Sequence, residues 1–295
     1  MKRRQFVQST VAASLALRGW PGPAGKAPAG PIRFGYAALT WGGNDPRAID
    51  DISELGFRGV QLRASAVARW GGKPQELRDL LAARGLTLVA LSSGLVRLDP
   101  AGEADDLALH LRHARFLRDA GGLYLQVVDQ RPPGRDPTGD DFRRMGRLLT
   151  ELGRRTADLG IPLGYHNHMG NLGQAPDEVH QVLESADPRF LKLELDVAHY
   201  RQAGGDPAQA VRRYADRLLF LHIKDLESPV PGGGPASYRF VELGRGMVNL
   251  PAVFAALAEV SFKGWAVVEL DRSETPKESG AISRKYLTGT LGLEV

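Results

Sequence analysis

Four pairs of polar residues in the C-terminal half of the chain have the spacing that places both side chains on one face of a β-strand. The pairs are His166 and His168, Glu194 and Asp196, His222 and Lys224, and Glu269 and Asp271. Each pair closes a short apolar run, and alternate residues of a strand project to the same side. Imidazole and carboxylate groups bind divalent metals and transfer protons. The pattern therefore predicts metal binding combined with acid–base chemistry.

The composition limits this chemistry. The chain has 295 residues and no cysteine, so disulfides, thiolate ligands and a cysteine nucleophile are excluded, and any metal must be held by nitrogen and oxygen atoms. Five of the 38 basic residues and no acidic residue lie within positions 1–30, which leaves 33 basic against 34 acidic residues in the remainder. Because that remainder is nearly neutral, we expect no nucleic-acid partner.

The N-terminal segment has the composition of an export signal. The Arg3-Arg4 pair precedes a modest apolar run, and Ala27-Pro28-Ala29 is a small-residue cleavage pattern. This order resembles a twin-arginine signal, the alternative being an ordinary disordered terminus. We therefore expect residues 1–30 to direct export to the periplasm or the medium, and residues 31–295 to form the folded domain. No later apolar run reaches the roughly 18–20 residues that a membrane span requires.

From Pro31 onward, eight short apolar runs alternate with segments of helical periodicity. The runs are IRFGYAAL, GVQLR, TLVALSS, LYLQVVD, PLGYHNH, LKLELDVA, LLFLHIKD and GWAVVELD. Several segments between them begin with Asp or Pro and end near Gly, as helices do. Eight strand–helix units in about 260 residues predict a single (β/α)8 TIM barrel of the α/β class. The alternative, an open doubly wound sheet, would have a glycine-rich fingerprint where this chain has TWGGNDP.

The active site of such a barrel lies at the C-terminal ends of its strands, where the last four runs place their polar pairs. Buried carboxylates such as Asp196 and Glu269 cost several kcal/mol unless a positive charge compensates them. One residue from each run gives the predicted ligands, which are His166, Asp196, His222 and Glu269. This mixed nitrogen and oxygen set favours one Mn²⁺, Zn²⁺, Co²⁺ or Fe²⁺ ion. Either His168 or His199 is an alternative to His166.

Taken singly, a histidine or carboxylate at a strand end is more often a hydrogen-bonded core residue than a ligand. The prediction of a metal therefore depends on the conjunction of four such ends on neighbouring strands. The three remaining histidines, His110, His113 and His180, lie in helical segments whose other polar residues look solvated. We expect these three at the surface.

The segments YHNHMG, LELDVAH, LHIKD, LGRGMVN and WAVVELD, in this order, resemble the sugar phosphate isomerase/epimerase family. That family has the xylose isomerase-like TIM barrel and includes inosose dehydratases and ketose 3-epimerases. The resemblance covers residues 31–295 and is most specific in the C-terminal half. It implies one divalent metal ion, with one ligand from each of the last four strands, at the four positions named above.

Two positions depart from the family pattern. Many members have glutamate where this chain has His166, so one carboxylate is missing and the segment is more similar to the dehydratase-like branch. Members also often have glutamate on the second strand, where this chain has Gln61. A second acid from that side is therefore absent.

The resemblance and the ligand types together imply proton movement next to a carbonyl group. A divalent ion bound to a keto-sugar stabilises the charge that forms when the α proton leaves, and a base must lie within hydrogen-bond reach. The candidate bases are Glu269, by analogy with the family, and His168. Lys224 either stabilises an oxyanion, protonates a leaving hydroxyl, or only pairs with Glu269 or Asp196.

Three functions remain open from the sequence. The first is an isomerase or epimerase of a keto-sugar or related polyol, in which the proton returns to a different face or carbon. The second is a dehydratase of a keto-sugar or inosose, in which a β-hydroxyl leaves. The third, from another class, is a non-catalytic carbohydrate-binding barrel.

Three more side chains and one segment are expected near the substrate. His199 is expected to orient a ligand. Trp41 either stacks on a sugar or only packs, and Arg63 either binds a substrate anion or forms a surface ion pair. The glycine- and proline-rich segment 226–246 follows the seventh run, and we expect it to lie over the site as a lid or specificity loop.

Overall fold

The computed structural model describes residues 32–230, 234 and 237–295, so the predicted export signal lies outside the described residues. The barrel strands are β1 (Arg33–Ala37), β2 (Gly59–Arg63), β3 (Thr87–Val96), β4 (Tyr124–Asp129), β5 (Leu163–His166), β6 (Leu191–Asp196), β7 (Leu218–Ile223) and β10 (Trp265–Val268). Two short strands, β8 (Asp225–Glu227) and β9 (Arg239–Val241), form a separate antiparallel hairpin. The eight barrel strands are parallel and closed, which confirms the predicted TIM barrel.

Helices cover the outside of the barrel. They are α1 (Asp45–Glu54), α2 (Ala66–Trp70), α3 (Pro74–Ala83), α4 (Glu103–Asp119), α5 (Gly139–Ala157), α6 (Pro176–Glu184), α7 (Val197–Gln202), α8 (Pro207–Arg213), α9 (Leu250–Glu259) and α10 (Pro276–Lys285). Many of them begin as the sequence predicts. For example, α1, α8 and α9 have proline in the first turn and an Asn or Asp side chain that accepts a backbone N–H. No helix in the described ranges is long and apolar enough to cross a membrane.

The order of the strands decides which side chains can meet. Around the barrel the order is β1, β10, β7, β6, β5, β4, β3, β2, and β1 pairs with β2 to close it. Consequently β2 lies across the barrel from β6, β3 from β7, and β4 from β10. The strands with the predicted ligands therefore form one wall, and β2, β3 and β4 form the wall that faces them.

The N-terminal end of the barrel is filled by the Trp265 indole. Gly59 makes room for it, because a Cβ atom at position 59 would lie 2.5 Å from both the Trp265 ring and the Val89 side chain. The Arg33 guanidinium covers the outer face of the indole, 4.2 Å from the ring centroid. Since this end is packed, a ligand can enter only from the C-terminal end.

The prediction that His110 and His113 are surface residues is wrong. Both lie on the face of α4 that packs against the barrel, and the Ser93 hydroxyl oxygen is 2.6 Å from His110 Nδ1 and 2.8 Å from His113 Nδ1. Residues three apart share one helix face, so one packed face buries both. His180, on α6, is half-buried.

Candidate metal centre

The C-terminal ends of β5, β6, β7 and β10 bring the four predicted ligands together inside the barrel. His166, Asp196 and His222 each offer a ligand atom within 4.8 Å of the other two. Glu269 joins them from β10, because its Oε2 lies 3.6 Å from His222 Nδ1, and Asp196 Oδ2 lies at the same distance from that nitrogen. All four side chains are buried.

Three atoms of this cluster have no partner. His166 Nδ1, Asp196 Oδ2 and His222 Nδ1 are buried and form no hydrogen bond. Buried polar atoms in proteins are nearly always paired, so three orphaned atoms of ligand type in one cluster need an explanation. Burial also lowers the pKa of His166 well below its usual value, which leaves a neutral imidazole. The donor set therefore fits a divalent cation.

The orientation of His222 supports this interpretation. Its Nε2 lies 2.9 Å from Gln61 Oε1, an acceptor that requires an N–H at that nitrogen, and Glu194 Oε1 lies 2.7 Å from the same nitrogen without forming a hydrogen bond. Burial lowers the pKa of His222, but the charges of Glu194 and Glu269 outweigh burial and raise it well above its usual value. A cation would replace the proton on Nδ1, the atom that faces Asp196 and Glu269. A metal-binding histidine typically donates its other N–H in this way.

Glu194 is a site residue to which the sequence analysis assigned no role. It is fully buried on β6, and burial raises the pKa of its carboxyl group to about 7. Its sequence signal was a charged residue inside the apolar run LKLELD. What the sequence could not reveal is that Glu194 and Gln61 both orient His222, because Gln61 reaches it from the opposite wall.

Asp196 is held in place by two sets of hydrogen bonds. Its Oδ1 accepts the backbone N–H groups of Ala198 and His199 at 2.8 and 2.9 Å and so caps α7. The Asn167 side chain binds the backbone of Asp196, accepting from its N–H at 2.9 Å and donating to its C=O at 3.2 Å. With Oδ1 occupied, Oδ2 is left for the metal.

Hydrogen bonds also distinguish the two alternative histidines. His166, His168 and His199 form a second group whose ligand atoms lie within 4.8 Å of one another. However, His199 Nδ1 accepts the Met169 N–H at 3.2 Å, and burial lowers the pKa of His199 to about 3. Its neutral ring therefore carries the proton on Nε2, which is a donor and not a ligand. His168 donates from Nδ1 to the Met169 carbonyl at 2.7 Å, so in the neutral form of the ring the lone pair is on Nε2.

Lys224 is paired and covered. Its Nζ lies 2.8 Å from Glu269 Oε1 and 2.5 Å from Asp271 Oδ1, and it is 1% exposed. Burial lowers the pKa of this ammonium group, but the charges of Glu269 and Asp196 outweigh burial and raise it above its usual value. The Phe240 ring of β9 covers it, with Nζ 3.7 Å from the ring centroid. Lys224 is therefore a buried positive charge behind Glu269 and Asp271, the two carboxylates that line the cavity.

The hairpin that carries Phe240 belongs to the segment 226–246, which the sequence predicts to lie over the site. The Phe240 ring also lies 5.0 Å from the His199 ring, but no described residue of the segment lines the cavity, so the described hairpin lies beside the site and its role as a lid stays a prediction. The base of the segment is anchored by the buried Asp225 carboxylate. Asp225 accepts the backbone N–H groups of Leu226, Gly244, Gly246 and Val248 at 2.9–3.0 Å.

The structure separates the two remaining candidates. Arg63 lines the cavity of about 290 Å³ that also contains His166, His222 and Glu269. Trp41 lies elsewhere: its indole N–H donates to Asp51 at 2.9 Å, and it lines an outer groove with residues of α1 and α10. The expectation that Trp41 stacks on a sugar is corrected, because its strand continues as a 3₁₀ helix that turns the indole toward α1.

Comparison with known proteins assigns the class. The model of the xylose isomerase-like TIM barrel family matches residues 49–287, so the chain belongs to this family. An inosose dehydratase of Lacticaseibacillus casei is 25% identical over 301 residues, which cover 89% of this chain and 98% of that protein. The predicted family and its enzymatic nature are thereby confirmed.

Two solved structures show the same fold. The IOLI protein with a bound zinc atom has a TM-score of 0.75 at 16% identity, covering 88% of this chain and 98% of that one. The D-allulose 3-epimerase from Methylomonas sp. has a TM-score of 0.69 at 20% identity, covering 88% and 97%. Together with the His/Asp cluster, the zinc-bound structure supports a divalent metal centre in this barrel.

The loop that carries His168 is held by Asp129 at the end of β4. The Asp129 carboxylate accepts the Tyr165 hydroxyl at 2.9 Å and the N–H groups of Leu172 and Gly173 at 3.1 Å. Burial outweighs these hydrogen bonds and raises the pKa of Asp129 to about 6. The folded state therefore binds this proton more tightly than the unfolded chain does.

This shift predicts a pH-dependent stability. Because the pKa of Asp129 is higher in the folded state, its contribution to the free energy of unfolding falls as the pH rises and levels off above about pH 6. Between pH 4.5 and 7, wild type should lose about 2 kcal/mol relative to Asp129→Asn. Urea unfolding of both proteins in EDTA at three pH values measures this. A difference that does not change with pH would contradict the assignment.

Proposed function

We propose that the protein is a divalent-metal-dependent isomerase or epimerase that removes a proton from the carbon next to the carbonyl of a keto-sugar or related polyol. The observation that carries this proposal is the cluster of orphaned donor atoms on β5, β6 and β7, which lies beside the Glu269 carboxylate in one cavity. The mixed donor set favours Mn²⁺, Zn²⁺, Co²⁺ or Fe²⁺. When bound, such an ion supplies the Lewis acidity that stabilises negative charge on the substrate oxygen.

The residues of the chain then supply the proton transfers. Glu269 stays ionised beside the Lys224 ammonium group and accepts the α proton. His168, whose Nε2 has a free lone pair, is the second base, and it enters from β5 while Glu269 enters from β10. Two bases on different sides of a substrate allow a proton to leave one face and return to the other. The His199 Nε2–H is buried without a partner, so it can donate a hydrogen bond to a group that enters beside His168.

A dehydratase is the second candidate, and one observation favours it. The Lys224 ammonium group contacts the Glu269 carboxylate, which lines the cavity, so a proton for a hydroxyl that leaves from the β carbon can pass through Glu269. The inosose dehydratases among the relatives match over most of the chain, which also favours a dehydratase. Both reactions begin with the same proton abstraction.

The first test is proton exchange with solvent. Wild type loaded with Mn²⁺, Co²⁺ or Zn²⁺ should incorporate deuterium next to the carbonyl of D-fructose or of an inosose in D₂O, as followed by NMR. Removing the base in Glu269→Gln should lower the exchange rate by about 10²–10⁴-fold. Glu294→Gln, an exposed glutamate at the C-terminus, is the matched control and should exchange like wild type.

The product distinguishes the candidates. A new stereoisomer or positional isomer supports the isomerase or epimerase, and an unsaturated ketone that absorbs in the ultraviolet supports the dehydratase. If ligand binding occurs with neither exchange nor product, the protein is a non-catalytic carbohydrate-binding barrel and the proposal is wrong.

We also propose that residues 1–30 direct export. The support is the Arg3-Arg4 pair, the absence of acidic residues and the small-residue pattern near position 28. A reporter fused to residues 1–30 should reach the periplasm, and replacing both arginines with lysine should retain it in the cytoplasm. Export that does not depend on the arginine pair would exclude the twin-arginine route.

A further inference from the structure

The cavity has a second polar wall that the proposed chemistry does not use. Arg63 on β2, Ser92 on β3 and Gln126 on β4 all line the cavity. In the strand register Arg63 is paired with Ser92, and Ser92 with Gln126, so the three residues stand side by side in one row. Neighbouring strands lie about 4.8 Å apart. This row faces the wall that carries Asp196, because β2 lies across the barrel from β6.

Arg63 brings a positive charge that forms no ion pair with Glu269 or Asp271, the two carboxylates that line the cavity. Among the described residues that line the cavity it is the only lysine or arginine. Within the described part of the chain no hydrogen bond or ion pair reaches its guanidinium group. Glu269 and Asp271 already share the charge of Lys224. The guanidinium is exposed, which leaves its five donors available to a ligand.

Gln126 supplies a second, independent observation. The side chain is 2% exposed, and its Oε1 is buried without a hydrogen-bond partner. A buried amide oxygen of this kind is satisfied by a donor such as a hydroxyl group. The Ser92 hydroxyl next to it can donate or accept. The row therefore offers one cation and two neutral hydrogen-bonding groups.

The distance along β2 separates this row from the metal ligands. Gln61 hydrogen-bonds His222, and Arg63 follows two residues later on the same face of the strand, about 7 Å nearer the mouth of the barrel. A cavity of about 290 Å³ lies at the small end of the range for ligand sites and suits a single sugar-sized molecule. One such molecule can contact both walls.

We propose that Arg63, Ser92 and Gln126 form a subsite for the end of the substrate that is remote from the reacting carbonyl, and that the substrate is a polyhydroxylated ketone bearing one carboxylate or phosphate group. Arg63 binds the anionic group, and Gln126 and Ser92 bind a hydroxyl group beside it. This inference rests on the proposed function for the position of the carbonyl. A guanidinium group matches the geometry of either anion in a bidentate contact.

Calorimetric titration of the Mn²⁺-loaded protein tests this subsite. The probes are D-fructose, D-fructose 6-phosphate and 5-keto-D-gluconate, which are neutral, phosphorylated and carboxylated. At least one anionic probe should bind about tenfold or more tightly than D-fructose. Arg63→Gln should weaken binding of that probe about tenfold and leave D-fructose within twofold. The better of the two anionic probes identifies phosphate or carboxylate as the group recognised.

Two further variants separate the subsite from a general effect of charge. Arg147→Gln removes an exposed arginine of α5 outside the cavity and should bind all three probes like wild type. Gln126→Leu should weaken the neutral and the anionic probes alike. Equal affinity for all probes in wild type, binding of none, or equal losses in the Arg63 and Arg147 variants would overturn the subsite.

The proton-exchange experiment keeps the two proposals distinct. Exchange into D-fructose without any preference for anionic probes would exclude the subsite and leave the proposed reaction standing. A preference for anionic probes that Arg63→Gln abolishes, without exchange into any probe, would support the subsite and exclude the reaction.

Discussion

The site depends on the burial of charged and ligand-type atoms inside an otherwise apolar barrel. An uncompensated buried charge costs several kcal/mol, so the fold can hold Glu194, Asp196 and Glu269 in one place only if each has a partner or takes up a proton. Glu269 has Lys224, and Asp196 Oδ1 has the first N–H groups of α7. Glu194 forms no hydrogen bond, and burial raises the pKa of its carboxyl group to about 7, which lowers the cost of keeping it in the barrel. The unpaired atoms of His166, Asp196 and His222 face one another, and a cation is the partner that satisfies these three.

The outer contacts explain why these atoms face one another. Gln61 places a proton on His222 Nε2, Glu194 lies against the same nitrogen, and Asn167 holds the backbone of Asp196. In each case the residue that holds a ligand in place and the ligand itself belong to different strands or strand ends. The metal-facing geometry is therefore a property of the closed barrel and not of any one segment. The same closure places Arg63 and its neighbours on the wall opposite the ligands.

Much of this arrangement could be predicted from the sequence, because it follows two simple periodicities. The alternation of eight runs with helical segments predicted the barrel, and the spacing of two residues at the ends of the last four runs predicted which side chains share a rim. Contacts across the barrel could not be predicted in this way. Gln61 and His222 are 161 residues apart, and no local pattern joins them.

The errors have equally physical causes. Helical periodicity predicted α4 but did not reveal that its histidines lie on the packed face. There the Ser93 hydroxyl lies within hydrogen-bond distance of both Nδ1 atoms. Trp41 ends an apolar run, but the chain turns there into a 3₁₀ helix and carries the indole away from the cavity. In each case the residue type was correctly noted, and the direction of the side chain was set by tertiary packing.

The metal content of the purified protein shows whether one cation completes the buried cluster. Elemental mass spectrometry of purified wild type should give about one Mn, Zn, Co or Fe per chain. The ion should be lost in His222→Ala and Asp196→Ala and retained in His180→Ala, which removes a histidine outside the cluster. A folded wild type that stays empty when these metals are supplied would exclude a metal centre at these residues.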